Sequence, residues 1–338
     1  MQMFFKVQLV IIIAVIFTSC SPAKVPETHL SGPTMGTTYN VKFVAIDGVD
    51  KNKIQQQIDQ LLININQLMS TYISDSELSR FNQWQSTDPF PMSAQTIAVL
   101  NEAKRIGDMS SGLLDVTIGP QVNLWGFGPQ SRPEKIPSDE LIQATQQLVG
   151  LDKLTIGETW ASKAIPNLYV DLSTIAKGYA VDQVAELLQS HKIQSFLVEI
   201  GGEMRVSGVK ASGNSWKIAI EKPQADQRSV QEIISVGDNA VATSGDYRIY
   251  YEQDGVRYSH LIDPSTGYPI THNVVSVTVI HPSSMTADGL ATALIVMGKE
   301  KALALAKQYD IAVLLITKEK DGFNEYTSAK FEQLVTVH

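Results

Sequence analysis

The amino-acid sequence predicts an α+β fold with a largely antiparallel sheet. Residues 195–280 form short β-like runs separated by turn residues, which is typical of strands that follow one another in an antiparallel sheet. Helical spacing dominates residues 284–308, and another extended run follows at residues 311–317. Because these strands and helices are grouped and do not repeat as strand–helix units, their order favours α+β over α/β. A length of 338 residues allows one large domain or two closely packed lobes.

A strand and an amphipathic helix open the first half of the chain. The run from Thr37 to Val44 has the two-residue period of a strand, and apolar residues recur at helical spacing from Ile54 to Leu68. A second helix is predicted from Ala94 to Asp108. Glycine and proline punctuate residues 112–129, so we expect a long ordered loop without regular structure there.

The later elements are shorter and are bounded by turn residues. We expect helices at residues 137–148, 178–190, 284–297 and 299–308, and a strand at residues 167–172. The strands of the middle region are separated by turns at Gly201-Gly202, Ser212-Gly213-Asn214, Asp254-Gly255 and Asp263-Pro264.

Composition and charge exclude several classes of protein. A hydrophobic fraction of 43% with 18% charged residues is ordinary for a globular protein, and it indicates neither disorder nor a polytopic membrane protein. The formal net charge is -8, and no stripe of Lys and Arg with interleaved aromatic residues is present. Nucleic acid is therefore excluded as a partner. An anionic ligand would need local cations, a metal ion or a helix N-terminus to attract it.

The first residues have the layout of a secretory signal. Lys6 precedes an apolar run, Val7 to Phe17, that is too short to span a bilayer comfortably. The only cysteine, Cys20, lies where a bacterial lipobox places the residue that becomes lipidated. We therefore expect a signal peptide at residues 1–19, a tether from lipidated Cys20 at residues 20–31, and a folded domain at residues 32–338. The expected location is the periplasmic side of the inner membrane, and these residues leave sorting to the outer membrane open as an alternative. The alternative is a plain cleaved signal with an incidental cysteine.

One predicted helix carries two oxygen ligands on the same face. Asp288 and Thr292 are four residues apart, so their side chains lie one turn apart. Together with a backbone carbonyl they could hold Mg²⁺, which prefers oxygen ligands and retains several waters. Spacing alone favours the alternative, a solvated helix face.

The segment of residues 171–178 follows an extended run and enters a helix. In that geometry backbone N–H groups and Lys177 can face a phosphate. The segment lacks the glycine pattern of a P-loop or of a dinucleotide fingerprint. On local pattern alone an ordinary helix start is favoured, in which Ser173 or Thr174 caps the helix and Asp171 turns the chain.

His260 lies at the end of a strand, before a turn-forming run. A histidine at such a place can act as a base or bind phosphate, although a lone histidine is more often structural. The other histidines have no partner at metal-ligand spacing, which argues against a zinc site. Gly201-Gly202 indicates a tight turn or a close backbone approach to a ligand. Trp125 and Phe127 are interpreted as core residues, with a stacking platform as the alternative.

Eight short blocks occur in a fixed order along the chain: Gly32–Tyr39, Met69–Tyr72, Gly112–Pro120, Asp171–Ala180, Glu199–Gly202, Thr243–Arg248, Ser259–Gly267 and Thr286–Ala293. In this order they resemble the ApbE family of FAD:protein FMN transferases. The resemblance runs from Gly32 nearly to the last residue. Several blocks in the correct order are far more specific than any one of them.

The resemblance implies an ApbE-like, T-fold-like domain of two lobes, with a largely antiparallel sheet flanked by helices, that binds FAD in an elongated cleft. It implies a Mg²⁺ site formed by the backbone carbonyl of Thr174 and the side chains of Asp288 and Thr292. It makes His260 the candidate general base. The residues that it places in contact with FAD are Met35, Tyr72, Leu113, Leu114, Asp115, Asp171, Lys177 and Ile262.

The implied reaction attaches FMN from FAD covalently to Thr or Ser of another protein and releases AMP. The implied acceptors resemble the flavinylated subunits of membrane redox complexes. Two alternatives stay open: a Mg²⁺-dependent FAD pyrophosphatase, which forms FMN and AMP, and a non-catalytic flavin-binding lipoprotein.

Overall fold

The computed structural model of the protein describes residues 26–128, 136–224, 229–247 and 249–338. The predicted signal peptide and Cys20 lie outside these residues. Among the described residues, no helix is both long enough and apolar enough to cross a membrane.

The helices of the described chain are α1 (Lys51–Met69), α2 (Glu77–Gln83), α3 (Ala94–Met109), α4 (Gly119–Leu124), α5 (Asp139–Gln146), α6 (Ala176–Ser190), α7 (Ser284–Met297), α8 (Lys299–Gln308) and α9 (Ala329–Leu334). The strands are β1 (Glu27–Thr34), β2 (Thr37–Val44), β3 (Phe90–Pro91), β4 (Leu154–Ile156), β5 (Trp160–Lys163), β6 (Phe196–Ile200), β7 (Glu203–Ser207), β8 (Ile218–Glu221), β9 (Val230–Ser235), β10 (Ala240–Gly245), β11 (Tyr250–Gln253), β12 (Val256–Ser259), β13 (Val274–His281), β14 (Ala312–Glu319), β15 (Gly322–Thr327) and β16 (Thr336–Val337).

An eight-stranded sheet forms the centre of the fold, in the order β1-β2-β6-β7-β10-β13-β14-β15. Each pair of neighbours in it is antiparallel. This architecture of a large antiparallel sheet with helices confirms the predicted α+β class.

The two faces of this sheet are covered by different elements. One face packs against helices, including α6 and α7, and the main core there contains Val198, Val277 and Leu294. The other face contributes to a second cluster with the small sheet β16-β9-β8 and α9, which contains Ile234 and Phe331. Because both faces are covered, β13 is buried along nearly its whole length and does not show the alternation of a half-exposed strand.

Many predicted elements coincide with observed ones. The predicted strand at residues 37–44 is β2, and the predicted helices at 284–297 and 299–308 are α7 and α8. The predicted helices at 94–108 and 178–190 agree with α3 and α6 to within two residues. In β2, α3 and α8 the apolar residues recur at the period of the element, and tertiary packing buries that face, whereas α7 is buried around most of its surface.

The prediction of no regular structure throughout residues 112–129 is wrong for α4. This short helix begins at Gly119, and Pro120 lies in its first turn. A proline is tolerated there because the N–H groups of the first turn have no partner within the helix. In this segment proline marks the start of a helix.

The predicted strand at residues 167–172 is absent, although its apolar residues alternate as expected. Leu168, Val170 and Leu172 are all buried, but the segment is not part of any ladder. The backbone N–H and C=O of Val170 bond to the side-chain amide of Asn82, and the N–H of Asp171 bonds to the carbonyl of Val116. A side chain and a loop therefore take the place of a neighbouring strand.

The folded part begins earlier than the predicted boundary at Gly32. Strand β1 starts at Glu27, within the segment assigned to the tether, and pairs with β2 along eight residues. Leu30 is buried in the main core. The short β1–β2 turn at Met35 and Gly36 brings the segment back onto β2, and this pairing orders residues that their composition alone marks as a linker.

Candidate active site

Two adjoining cavities form one cleft beside α6 and α7. The first has a volume of about 680 Å³ and the second about 390 Å³. Both are lined by Tyr72, Asp171, Ser173 and Lys177, so they are continuous. Met35 lines the first cavity. The other predicted site residues line the second: Leu113, Leu114, Asp115, Thr174, His260, Ile262, Asp288 and Thr292. The structure thus brings together every predicted site residue that it describes.

The first cavity is largely apolar and suits a flat ring system. Met35 occupies the tight turn between β1 and β2 with a φ of 48°, followed by Gly36 with a φ of 69°. These positive angles are those of a type I′ hairpin turn, which matches the twist of its two strands. Met69 lies at the end of α1, and Tyr72 is 74% exposed at the mouth. Soft thioethers and an aromatic ring are good partners for a planar aromatic ligand.

A very close approach of α6 and α7 builds the polar end of the cleft. The N–H of Gly178 donates to Oδ2 of Asp288 at 2.9 Å. A Cβ atom on Gly178 would lie 2.3 Å from the carbonyl oxygen of Ser284, so no larger residue fits there. The carboxylate of Asp182 on α6 accepts hydrogen bonds from the N–H groups of Ser284 and Met285, each at 3.0 Å, at the start of α7. These contacts fix the helix that carries Asp288 and Thr292.

Asp288 is a buried acid in an unusual state. Its side chain is on the inner face of α7, with the residue only 4% exposed, so the alternative of a solvated helix face is wrong. Burial, strengthened by the negative charge of Glu203 and opposed by Lys177, raises the pKa of Asp288 to about 8. A cation next to this carboxylate would stabilise its ionised form.

Lys177 is held by a buried carboxylate. Its Nζ lies 2.7 Å from Oε1 of Glu203, which is 3% exposed. Burial would lower the pKa of Lys177, but the charges of Asp288 and Glu203 outweigh burial and raise it. The ammonium therefore stays charged, and it is the only lysine or arginine among the described residues that line the two cavities. It is placed to attract an anionic ligand.

Several oxygen atoms here lack a partner. Oγ1 of Thr174 and Oε2 of Glu203 are buried with no hydrogen-bond partner, although buried polar atoms are nearly always paired. Oγ1 of Thr292 has one weak partner, Oγ of Ser244 at 3.2 Å. Hydroxyl and carboxylate oxygens suit a hard cation such as Mg²⁺. No group of three or more His, Cys, Asp or Glu that could hold a metal occurs among the described residues, so a cation here would rely on hydroxyl, carbonyl and ligand oxygens beside Asp288.

The segment before α6 differs from an ordinary helix start. The N-cap position is Ile175, without a side-chain cap, so neither Ser173 nor Thr174 caps the helix. Asp171 does turn the chain, because its Oδ1 accepts the N–H of Ser173 at 2.8 Å. Thr174 is thereby left free to contribute to the site.

His260 has a defined tautomer. Its Nδ1 lies 2.9 Å from the carbonyl oxygen of Ile249. Since a carbonyl can only accept, Nδ1 carries the proton and Nε2 is the basic nitrogen of the neutral ring. Burial lowers the pKa of His260, which favours that neutral ring. The residue lines the second cavity together with Asp288.

Aromatic residues support strand β12, which ends directly before His260. Trp125 is buried, and its indole N–H donates to the carbonyl of Gly267 at 2.8 Å, so its interpretation as a core residue is confirmed. Phe127 stacks on Tyr251 of the β11–β12 hairpin and also lines the cleft next to His260. Phe127 is half-buried and packs against the cluster of Trp125, which agrees with its interpretation as a core residue.

Glu203 and Ser244 are site residues that the motif analysis missed. Glu203 begins β7 directly after Gly201-Gly202, and Ser244 lies at the end of β10. The available signal in the sequence was the position of Glu203, an acidic residue directly after the tight turn at Gly201-Gly202 and at the start of a strand. Its burial could not be read from the sequence, because Glu203 is inward-facing only through the pairing of β7 with β6 and β10.

Comparisons with known proteins agree with this geometry. The ApbE family model matches residues 35–315. The FAD:protein FMN transferase of Vibrio cholerae serotype O1 is 57% identical over 311 residues, covering 92% of this chain and 93% of the relative. The protein of the same name from Escherichia coli K12 is 41% identical, covering 95% of each chain.

Solved structures give the same result. The flavin transferase ApbE from Vibrio cholerae superposes with a TM-score of 0.86 at 57% identity, covering 91% of this chain and 99% of that one. The apo flavinyl transferase ApbE of Pseudomonas stutzeri superposes with a TM-score of 0.84 at 41% identity, covering 91% and 96%. The cleft, the blocks that line it and these matches agree, and the chain belongs to the ApbE family.

Proposed function

We propose that this chain is an FAD:protein FMN transferase, which moves FMN from FAD to a Thr or Ser hydroxyl of an acceptor protein. The observation that carries the proposal is the continuity of the cleft. Its apolar end at Met35 and Tyr72 suits the flavin ring, and its polar end holds Lys177, Asp288 and the basic Nε2 of His260. A flavin dinucleotide needs both kinds of surface within one site.

In the proposed reaction the acceptor hydroxyl attacks the phosphorus on the FMN side of the FAD diphosphate. A new oxygen–phosphorus bond forms, the bond to the AMP phosphate breaks, and its electron pair leaves with AMP. The hydroxyl proton moves to Nε2 of His260, which acts as general base. Lys177 attracts the diphosphate, and Glu203 holds the Lys177 ammonium in place.

We propose that Mg²⁺ is the cofactor and that the backbone carbonyl of Thr174 and the side chains of Asp288 and Thr292 hold it. The buried, unpartnered hydroxyl of Thr174 and the raised pKa of Asp288 support a cation at this place. When bound, the ion neutralises charge on the phosphates and on the departing oxygen. Asp288→Ala should be inactive at every Mg²⁺ concentration, because it lacks one of the proposed ligands. If this variant transferred FMN without needing Mg²⁺, the assignment of the metal site would be excluded.

One incubation tests the activity against its two alternatives. The full-length chain is mixed with FAD, Mg²⁺ and a candidate acceptor, a flavinylated subunit of a membrane redox complex in its unmodified form. A mass gain of one FMN on the acceptor supports transfer. Free FMN and AMP without acceptor labelling indicate a pyrophosphatase, and unchanged FAD indicates binding only. Either of these two results contradicts the proposal.

We further propose that Cys20 is lipidated and anchors the enzyme to the inner membrane on the periplasmic side. The support is the signal-like segment that ends at Cys20. An anchored enzyme suits acceptors in the same compartment. Cells fed an alkyne-labelled fatty acid should incorporate it into the wild-type chain and not into Cys20→Ala. Equal labelling of the two would contradict the anchor.

A further inference from the structure

Lys163 is a buried lysine outside the cleft. It lies at the end of β5 and is 1% exposed. Its Nζ donates to the backbone carbonyls of Phe81 at 3.0 Å and Asn82 at 3.3 Å, and it also lies over the Phe81 ring. No ion pair found among the described residues includes it. Burial lowers the pKa of Lys163 without an opposing carboxylate.

The partners of Lys163 are two carbonyls in the last turn of α2, and the carbonyl of Phe81 also accepts the N–H of Trp84 at 3.1 Å. Carbonyls at a helix C-terminus have no partner within the helix and carry a partial negative charge, so a cation is favourable there. Burying an ammonium is nevertheless costly when its partners are neutral. An apolar side chain could not donate to these carbonyls, so Lys163 ties the end of α2 to β5 through hydrogen bonds as well as through packing.

Asn82 connects the end of α2 to the cleft. Its Nδ2 donates to the carbonyl of Val170, and its Oδ1 accepts the N–H of the same residue, both at 2.8 Å. The paired bonds hold Val170 as a neighbouring strand would. The next N–H, that of Asp171, donates to the carbonyl of Val116 at 2.7 Å. The backbone is therefore fixed immediately before the loop at residues 171–174.

That loop lines the cleft. Asp171 and Ser173 line both cavities, and Thr174 lines the second one with its unpartnered hydroxyl. Helix α2 in turn follows the loop that carries Tyr72, where Oγ of Ser76 donates to the carbonyl of Ser70 at 2.6 Å. The contacts of Lys163 and Asn82 thus join the loop at Tyr72 to the loop at Thr174, which form two sides of the same cleft.

We propose that Lys163 and Asn82 are positioning residues for the transfer reaction. Lys163 holds the end of α2, and Asn82 holds Val170, so that Asp171 and Thr174 stay in register with the dinucleotide and the cation. This role rests on the proposed function for its catalytic readout, but the effect on FAD binding can be measured without any acceptor.

Two variants of the full-length chain test the proposal. Asn82→Asp keeps the size and the acceptor oxygen but loses the donor to Val170, and Lys163→Met removes the ammonium at similar length. Supporting groups behind a metal or ligand site change affinity or activity by roughly tenfold to a hundredfold. We expect both variants to weaken FAD binding, measured by flavin fluorescence with Mg²⁺ and no acceptor, and to raise the Mg²⁺ concentration that gives half-maximal FAD binding.

Asn239→Ala is the matched control. Its Nδ2 donates to the carbonyl of Val236 at 2.7 Å, away from the cleft, so the variant should lower the melting temperature without changing FAD or Mg²⁺ titrations. Melting curves identify a variant that fails to fold. If one of the two variants does not fold, the binding measurements on the other variant test the proposal. The proposal would be overturned if Asn82→Asp or Lys163→Met bound FAD and responded to Mg²⁺ as the wild type does and differed from it only by a lower melting temperature. Wild-type protein that binds FAD but labels no acceptor would contradict the proposed function and leave the binding test valid.

Discussion

Single side chains in this cleft owe their chemistry to one or two neighbours each. The carbonyl of Ile249 sets the tautomer of His260, and Glu203 sets the place of Lys177. Asp288 is acidic in the sequence, but burial raises its pKa to about 8 and so disfavours its ionised form. The residue types are therefore necessary for the site, but their protonation and direction come from contacts with segments far away in the chain.

Replacing His260 by Gln should lower the rate of FMN transfer by roughly a hundredfold to ten-thousandfold, which is the usual contribution of a general base. FAD binding should change little. Since burial holds the pKa of His260 below its ordinary value of 6.5, the wild-type rate should be level at neutral pH and fall in acid, where the ring becomes protonated. His29→Gln, an exposed position on β1, is the control. Transfer at the wild-type rate by His260→Gln would contradict the role.

Replacing Asp288 by Asn should change how stability depends on pH in the metal-free chain. A carboxyl group with a folded pKa of about 8 and an ordinary value of 3.8 contributes stability that is full below the lower value and is lost as the pH rises through the higher one. Melting temperatures measured with a chelator from about pH 5 to about pH 9 should therefore fall more steeply for wild type than for the variant. Added Mg²⁺ should stabilise only wild type. Equal pH slopes would show that Asp288 is ionised in the folded chain.

Helices α6 and α7 form the element on which the cleft depends. Their separation is set by Gly178, which admits no Cβ atom, and by Asp182, which receives the first N–H groups of α7. Helix α7 is apolar around most of its surface and buried between α6, α3 and the sheet. A helix surrounded in this way has little freedom to shift, so Asp288 and Thr292 keep a fixed distance from the loop before α6.

Gly178→Ala should therefore damage both stability and the site. The new methyl group would meet the Ser284 carbonyl and the Asp288 side chain, and overpacking of this kind costs about 1–3 kcal/mol. Urea unfolding measures the loss of stability, and the Mg²⁺ titration measures the damage to the site. Glu186→Ala, at an exposed position of the same helix, serves as the control. If Gly178→Ala were as stable to urea as Glu186→Ala, helices α6 and α7 would not approach each other as closely as the structure shows.

The described part of the molecule is built on a large antiparallel sheet. Helices, including α6 and α7, pack on one face, and the small sheet β16-β9-β8 with α9 packs on the other. The cleft lies where the ends of several elements meet: the β1–β2 turn, the start of α6, the end of β10 and the residue after β12. Strand β1 is an edge of this sheet, yet its turn carries Met35. The first residues that the structure describes are therefore linked directly to the cleft.

A chain that begins at Pro26 should keep full stability, whereas a chain that begins at Gly32 should lose stability and bind FAD less tightly. The shorter chain lacks the first five of the eight residues of β1, and with them the burial of Leu30, which is worth about 2 kcal/mol. Urea unfolding and FAD titration of the two chains make the comparison. Equal stability would place the domain boundary at Gly32, as the composition of the segment suggests.

Local sequence pattern was sufficient where an element has a strong period of its own. Strand β2 and helix α8 are examples, because their apolar residues repeat at the spacing that their backbone requires. The family, and with it a set of residues that line one cleft, could also be predicted, since eight blocks in order carry more information than any single motif.

Only the tertiary structure decided which of these residues face one another and in what state. The segment at residues 167–172 has the pattern of a strand but is held by Asn82, and residues 27–31 have the composition of a linker but form β1. The state of Asp288, the tautomer of His260 and the burial of Glu203 and Lys163 have the same origin. The physical reason is that hydrogen-bond partners and burial come from residues distant in sequence, whereas a local pattern reports only the preference of its own segment.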